Sequence, residues 1–326
     1  PIVSDLSFEW NKFKRDYNKH YATTAEENER KEIFFNNVHR MRSYQQTHPK
    51  ATFKMSINHL MDRRIEELVS GPKLSFQSLP ASSKSSVDVK NLPKSLDWRT
   101  RNVISPVYSG ERGVIVTAIV STELVESLHA IGTGNLVKGS ISRIYDCCQQ
   151  PIDAFDCIQN MSGICYNSDY PTALDQCEPD KCKPFTTFDT IKRLAEPDED
   201  TMLAWIQDST LWAEINVAGE GFHTYTEGIY DVPSCSEGQV DYVVQIVGYG
   251  VEKDIPYWLC KNSWSEEWGE KGFFRIARGK NMCNIATVVI QVANSKKSDA
   301  PRRYSIVSMS FVFTLAIISR KITTYY

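Results

Sequence analysis

The cysteine distribution most constrains the fold of this chain of 326 residues. All nine cysteines lie between Cys147 and Cys283. Cys147 and Cys148 are adjacent and no histidine follows His223, which does not fit the paired ligands of a zinc site. Disulfides formed in an oxidising compartment explain the pattern better, and we expect neither a metal nor another cofactor. The odd count leaves a thiol unpaired in a monomer, and the apolar neighbours of Cys260 predict that it is buried.

Composition excludes several classes of protein. With 41% hydrophobic and 24% charged residues, the chain is globular and large enough for one large domain or two smaller ones. Its formal net charge is only −3, and no cluster of basic residues with interleaved aromatics is present. Nucleic acid is therefore not an expected partner. The sequence begins at Pro1 without a methionine or an apolar signal segment, which indicates processing or truncation.

The C-terminal tail, residues 294–326, contains an almost uncharged run at residues 305–319. Arginine and lysine residues flank the run on both sides. Its fifteen residues are fewer than the roughly 17 to 25 that usually span hydrocarbon. We expect a poorly packed appendage, and a membrane anchor is the alternative.

The pattern of apolar residues divides the chain into a helical part and a β-rich part. Apolar positions predict helices near residues 8–17, 25–46 and 117–131, and a Ser-rich linker lies at 78–86. From residue 212 onward, alternating and β-branched stretches separated by glycines predict strands. Helices followed by strands indicate an α+β fold.

Five separated motifs occur in a characteristic order. They are LPKSLDWR at 92–99, TGNL at 133–136, VGYG at 247–250, KNSW at 261–264 and WGEKGFFRIARG at 268–279. Together they resemble the papain family of cysteine peptidases, and within it the cathepsin L type. The resemblance covers about residues 7–293. It implies a papain-like fold of two subdomains, with a helical half at about 92–205 and a β-barrel-like half at about 206–293.

The leading segment resembles that family's inhibitory prosegment. Its helix signature is matched by Glu26, Arg30, Phe34 and Asn37, more loosely by Met41 and Gln45, and its second motif by Asn58 and Asp62. The resemblance implies that residues 1–77 are a helical prosegment that binds the cleft of its own peptidase domain. Residues 78–91 would then be the linker to a peptidase domain at 92–293.

The catalytic positions depart from the family. Its reaction needs a thiolate nucleophile, an imidazole, an orienting amide and an oxyanion donor. Counting back from TGNL places Val116 at the cysteine position, and Gly110 falls at the oxyanion glutamine. Tyr242 stands at the histidine position, whereas Asn262 retains the amide. Because valine cannot attack a carbonyl and tyrosine has a pKa of about 10, the resemblance implies a peptidase centre that has lost its chemistry.

A few other polar residues are candidate replacements for the nucleophile or the base. Thr117 and Ser109 are candidate hydroxyl nucleophiles, but a hydroxyl needs a base within hydrogen-bonding distance. His223 matches a loop position, so we expect it to be structural. Trp264 is expected to form one wall of the cleft. The opposite, glycine-rich wall is replaced by DCIQNMSG, in which Asn160 begins an N-x-S glycosylation motif.

The resemblance also implies disulfide partners. Cys235 and Cys283 match the bridge that closes the β-rich half, and Cys147 should pair with Cys177 or Cys182. The family partner of Cys157 would lie at Gly113, so that bridge cannot form. Cys148 or Cys165 is then available to compensate, and sequence leaves the connectivity open.

We therefore predict a secreted or endolysosomal papain-like proprotein that is inactive as a peptidase and acts by binding. Its expected partners are peptides, its own prosegment, and proteases or protease inhibitors. One alternative is a cysteine-type endopeptidase that acts through unrecognised residues. Another is a structural or storage protein.

Overall fold

The computed structural model describes residues 2–69, 88–108, 116–148, 153–174, 176–194 and 196–295, with side chains from residue 6 onward. The predictions made for Ser109, Gly110 and Gly113, for most of the linker and for almost all of the C-terminal tail lie outside these residues. Residues up to Asn294 form one compact unit. Among the described residues, no helix combines the length and the apolar character that crossing a membrane requires.

Seven α-helices are described. They are α1 (Ile2–Asp16), α2 (Thr24–Thr47), α3 (Ile65–Leu68), α4 (Val116–Thr133), α5 (Ile141–Cys147), α6 (Ala154–Asn160) and α7 (Glu199–Trp205). The second and fourth confirm the two longest helices predicted from the sequence. Helix α2 begins where the Thr23 hydroxyl accepts a hydrogen bond from the Glu26 amide, while the Glu26 carboxylate accepts one from the Ala22 amide.

Helices α1 and α2 pack together through aromatic side chains. Trp10 and Phe13 of α1 contact Phe34 of α2, and Val38 and Met61 complete this small core. The faces of the two helices that carry these residues are buried, and their opposite faces are charged. The N-terminal segment therefore has a hydrophobic core of its own.

Eleven strands are described. They are β1 (Phe53–Met55), β2 (Leu96–Asp97), β3 (Ile164–Cys165), β4 (Pro184–Thr186), β5 (Thr190–Arg193), β6 (Leu211–Ile215), β7 (Tyr225–Tyr230), β8 (Tyr242–Glu252), β9 (Ile255–Lys261), β10 (Phe273–Ala277) and β11 (Val289–Ala293). Nine form one sheet in the order β1-β7-β10-β9-β8-β6-β11-β5, with β2 added beside β8. Strands β3 and β4 pair separately in the helical half.

Helix α4 forms the junction between the two halves. Its sequence is apolar on nearly every face, and twelve of its residues are buried. It packs on β6, β8 and β11 on one side and on α5 and α6 on the other. A helix buried on all sides positions its first residue firmly, and that residue is Val116.

Four disulfides join eight of the nine cysteines, and Cys260 is free and buried, as the sequence predicted. The bridges are Cys147–Cys177, Cys148–Cys157, Cys165–Cys182 and Cys235–Cys283. The alternative partner for Cys147 was wrong, because Cys182 lies beside β3 and bonds to Cys165 on that strand. Cys148 takes the partner role for Cys157.

Candidate active site and prosegment interface

The predicted nucleophile position is an apolar side chain at the start of a helix. Val116 is the first residue of α4 and is buried in the main hydrophobic core. The next residue, Thr117, is partly exposed and is the remaining hydroxyl candidate among the described residues. A helix N-terminus stabilises an anion such as a thiolate, but valine offers no group that can ionise there.

Tyr242, at the predicted imidazole position, opens β8 and pairs with Ile215 of β6. Its ring lies 5.2 Å from the ring of Trp264, measured between centroids, and both side chains are buried. Burial raises the pKa of the Tyr242 hydroxyl above its ordinary value. Near neutral pH the phenol stays protonated and cannot accept a proton from a nucleophile.

Asn262, at the predicted amide position, follows β9 and is buried. Its Oδ1 accepts a hydrogen bond of 2.7 Å from the Ser263 amide. Its Nδ2 has no hydrogen-bond partner among the described residues. The amide therefore fixes the local turn and orients no imidazole.

A buried ion pair behind these positions ties α4 to β9. Lys261 Nζ lies 2.7 Å from Glu123 Oε1, and both side chains are almost fully buried. Glu126, one turn further along α4, accepts a hydrogen bond of 2.6 Å from the Gly139 amide. Burial raises the pKa of Glu123 to about 7, although Lys261 opposes the shift. This cluster holds the helix against the sheet.

The predicted nucleophile and imidazole positions, Val116 and Tyr242, carry neither a thiol nor an imidazole. Cys260, the single free thiol, is fully buried on β9, and burial raises its pKa well above the ordinary value. Of the six histidines, none lies on β8 or in the first turn of α4. Among the described residues, the two predicted positions therefore supply neither a thiol that could become a poised nucleophile nor an imidazole that could act as its base.

The prosegment docks on the β-rich half by adding a strand. Strand β1 pairs antiparallel with β7, with Phe53 opposite Gly228. Beside this pairing, the Thr52 carbonyl accepts a hydrogen bond of 2.9 Å from the Ile229 amide. Gly228 has a φ of +97°, and a Cβ there would lie 2.5 Å from the Thr52 carbonyl oxygen. Only glycine allows the two backbones to approach this closely.

Asn58, a prosegment residue singled out by its motif, bridges to the same half. Its Nδ2 donates a hydrogen bond of 2.7 Å to the His223 carbonyl, and its Oδ1 accepts one from the Leu60 amide. Trp268 Nε1 also donates to the His223 carbonyl, at 3.1 Å. One backbone oxygen therefore joins the prosegment to the peptidase domain.

Asp62, the second motif residue, holds the prosegment together. Its carboxylate accepts hydrogen bonds from Lys19 Nζ at 3.0 Å and from the Tyr21 hydroxyl at 2.9 Å. Its side chain is only 3% exposed. Arg30 donates to the Asp62 carbonyl and pairs with Glu67 at 2.7 Å. These contacts fix the turn that carries the chain from β1 to α3.

His223 lies beside this interface. Together with Arg40 of α2, it lines a groove of about 420 Å³ between that helix and residues 218–224. Its Nε2 is buried without a hydrogen-bond partner among the described residues. Burial, with a smaller contribution from the Arg40 cation, lowers the pKa of His223 to about 4. The imidazole is neutral at ordinary pH and belongs to the prosegment contact.

Asn160 ends α6 and is exposed, two residues before Ser162, which has a φ of +63°. On the other predicted wall, Trp264 packs edge-to-face against Phe222 and Trp268. The structure therefore places Trp264 within an aromatic cluster and Asn160 in solvent.

Sequence reasoning missed Glu214, a buried carboxyl on β6. It lies in the register position opposite Val243, next to the Ile215–Tyr242 pair. A signal was present, because LWAEINV places one charged residue inside an otherwise buried strand. The Lys261–Glu123 pair was also missed, since residues 138 positions apart give no local signal.

These features define a peptidase-type domain of two halves with an N-terminal helical segment docked on it. Residues 92–293 match the family described as papain family cysteine protease, and residues 10–68 match the cathepsin propeptide inhibitor domain. The chain belongs to the papain family of cysteine proteases.

Individual relatives agree with this assignment. Cathepsin L of Sarcophaga peregrina is 30% identical over 306 residues, covering 86% of this chain and 90% of the relative. Mouse pro-cathepsin H is 28% identical, covering 86% and 88%. The structure of digestive procathepsin L 3 from the larval midgut of Tenebrio molitor is 26% identical. It has a TM-score of 0.75 and covers 88% of this chain and 99% of that structure.

Proposed function

We propose that this papain-family protein does not hydrolyse peptides and acts by binding them, or a protein partner, in the cleft between its two halves. The observation that carries the proposal is the pair Val116 and Tyr242. One begins the central helix and the other begins the central strand, and neither side chain can form a thiolate–imidazolium pair.

The cost of losing such groups is large. Removing the nucleophile or the base of a serine protease lowers kcat by about 10⁶, and what remains comes from the oxyanion hole and from substrate binding. In this chain both positions are substituted, and the predicted oxyanion position is Gly110, which has no side-chain donor. We expect no turnover above background.

The retained features support a binding role. Asn262 and Trp264 keep one wall of the predicted cleft, and the Lys261–Glu123 pair holds α4 in place. The prosegment also keeps its strand pairing and its Asn58 contact. The proposed ligands are peptides, the chain's own prosegment, and proteases or protease inhibitors.

The disulfides indicate the cellular compartment of the protein. Four disulfides in the described residues favour a secreted or endolysosomal protein, because cytosolic thiols are kept reduced. In that compartment the exposed Asn160 motif would be glycosylated. A glycan there would narrow the predicted cleft from the side of α6. Glycosidase treatment of protein from a secreting cell should lower its mass, and Asn160→Gln should abolish the change.

Peptide turnover and peptide binding test the proposal together. Purified full-length chain, intact and also cut once within residues 70–87 after folding, is given a panel of fluorogenic peptides and a thiol-reactive active-site probe. We expect binding of unlabelled peptides without turnover or labelling. Turnover that disappears when a residue of this chain is substituted would overturn the proposal in favour of an active peptidase. Absence of both turnover and binding would favour a structural or storage protein.

A further inference from the structure

The groove of about 420 Å³ between helix α2 and residues 218–224 has walls from two parts of the molecule. One wall belongs to the prosegment and the other to the β-rich half. Its volume is in the range of small-molecule sites. None of the described residues that line it belongs to the helical half, so the groove lies outside the cleft between the two halves. A molecule bound there would contact the prosegment and the peptidase domain together.

The wall formed by residues 218–224 is held in one conformation. The Tyr230 hydroxyl donates a hydrogen bond of 2.8 Å to the Glu220 carbonyl. Gly221 has a φ of +74°, and a Cβ there would overlap Met55 Sδ of the prosegment. Only glycine combines this conformation with such close packing. The groove is therefore formed before any ligand arrives.

One end of the groove carries an unpaired cation. Arg40 of α2 is exposed, and its side chain makes no ion pair or hydrogen bond within the described part of the chain. Its charge reaches His223, whose pKa is lowered to about 4 by burial and to a smaller extent by the Arg40 cation. That imidazole is neutral near pH 7, and its buried Nε2 has no hydrogen-bond partner among the residues described. Arg64 also lines the groove, but it already pairs with Glu29 and Glu67.

The other end carries an unpaired carboxylate. Glu220 is exposed, and its carboxylate makes no ion pair or hydrogen bond with any described residue. Burial, followed by the Glu220 charge, raises the pKa of the Tyr44 hydroxyl, so Glu220 lies near Tyr44. Tyr44 follows Arg40 by one turn of α2, which corresponds to about 6 Å along the helix. The apolar side chain of Met41 lies between them on the lining of the groove.

We propose that this groove binds a small zwitterion of the size of a dipeptide, with its carboxylate on Arg40 and its ammonium on Glu220. An extended dipeptide reaches about 7 Å at most, which fits the spacing of the two charges. A guanidinium can donate two parallel hydrogen bonds to one carboxylate, and Met41 and Ile65 offer apolar surface to a ligand side chain. The inference goes beyond the proposed function and does not depend on it.

A second carboxylate sets the limit on the charge of the ligand. Glu66, in the first turn of α3, also lines the groove and makes no ion pair with a described residue. Helix α3 lies beside the Arg40 end, because Asn37 Nδ2 donates a hydrogen bond of 2.9 Å to the Arg63 carbonyl. Glu66 therefore repels an anion bound at Arg40. We expect the groove to exclude ligands with two negative charges, and Glu66→Gln to strengthen the binding of a carboxylate.

The test is calorimetric titration of the intact full-length chain at pH 7 with three probes. They are the dipeptide Ala-Leu, its N-acetyl derivative, which lacks the ammonium, and its C-terminal amide, which lacks the carboxylate. We expect Ala-Leu to bind at least fivefold more tightly than either derivative, because each derivative loses one ion pair. Equal binding of the three probes would overturn the proposal.

Two substitutions assign the two charges. Arg40→Gln should abolish the preference for Ala-Leu over its amide and keep the preference over the acetyl derivative, and Glu220→Gln should do the reverse. Lys31→Gln and Glu32→Gln, which remove charges of α2 outside the groove, are the matched controls and should change neither preference. Preferences that survive in both groove variants would place the dipeptide elsewhere and overturn the site. Failure of Ala-Leu to bind would also overturn it, while leaving the binding of longer peptides in the cleft as a separate result.

Discussion

The prosegment contact and the predicted catalytic positions differ in how far their polar groups are paired. In the prosegment, polar motif residues have partners: Asn58 bonds across the interface and Asp62 accepts from two side chains. At the catalytic positions, Val116 and Tyr242 are apolar or un-ionised, and Asn262 Nδ2 is without a partner among the described residues. The polar groups of the prosegment motifs therefore have partners that hold the fold together, whereas the residues at the predicted catalytic positions form no such polar network.

The largest expected effect is the loss of stability on removing the Asp62 carboxylate from the prosegment. Asp62→Ala leaves Lys19 and Tyr21 without their buried acceptor, and we expect it to lower the free energy of unfolding by about 3 kcal/mol. Urea unfolding followed by far-UV circular dichroism gives the value. Asp16→Ala is the control, because Asp16 pairs with Lys12 in solvent and should cost less than about 0.5 kcal/mol. Similar losses in both variants would show that Asp62 does not anchor the segment.

The next effect concerns the predicted catalytic positions and is measured as the pKa of a thiol introduced at position 116. Val116→Cys alone places a thiol in an apolar core without an imidazole, so its pKa should be about 8.5 or higher. Adding Tyr242→His should bring the thiol pKa below about 7.5, which raises the thiolate fraction at pH 6 by about tenfold or more. Absorbance at 240 nm against pH measures both. Efficient peptide cleavage by Val116→Cys alone would show that the base lies elsewhere in the chain.

Per pH unit, a smaller effect on the free energy of unfolding distinguishes Glu214 on β6 from His223 beside the prosegment by the sign of its pH dependence. Glu214 binds a proton more tightly in the folded state, so between about pH 4.5 and 8 it should lower stability by up to about 1.4 kcal/mol per pH unit as pH rises. Neutral His223 has the opposite sign: it should lower stability by up to a similar amount per unit as pH falls from about 6.5 to 4.

The two contributions oppose each other between about pH 4.5 and 6.5, so substitution should separate them. Glu214→Gln should make the protein lose stability more steeply on acidification, and His223→Gln should do the reverse. Urea unfolding at pH 4.5, 5.5 and 6.5 compares the slopes. If both variants keep the slope of the unsubstituted chain, neither group titrates differently on folding.

The sequence predicted the fold best where periodicity was strong and local. Helix α4 and strands β8 and β10 lie where their apolar patterns indicated, and the free thiol is Cys260. Strand β1 was not predicted, because three residues carry no period and their pairing with β7 depends on contacts about 175 residues away. The Cys148–Cys157 bridge could not be chosen beforehand, since geometry alone selects among adjacent cysteines.

The candidate site likewise contains residues that the sequence could identify and one that it could not. Motif spacing identified Val116, Tyr242 and Asn262 as the positions to compare with the family. Motif spacing could not reveal Glu214, since what distinguishes it is that its buried carboxyl has no hydrogen-bond partner among the described residues. Its isolation depends on how β6 faces α4 and α6, which only the assembled fold specifies.

The central claim, that this chain keeps the family fold without its chemistry, is tested most directly by peptide turnover. The unsubstituted chain, intact and cut once within residues 70–87, is assayed beside its Val116→Ala variant with fluorogenic peptides from pH 4.5 to 8. We predict the same background rate in all preparations at every pH. Turnover by the unsubstituted chain that exceeds background and is lost in Val116→Ala, or in a variant of any other cleft residue, would contradict it.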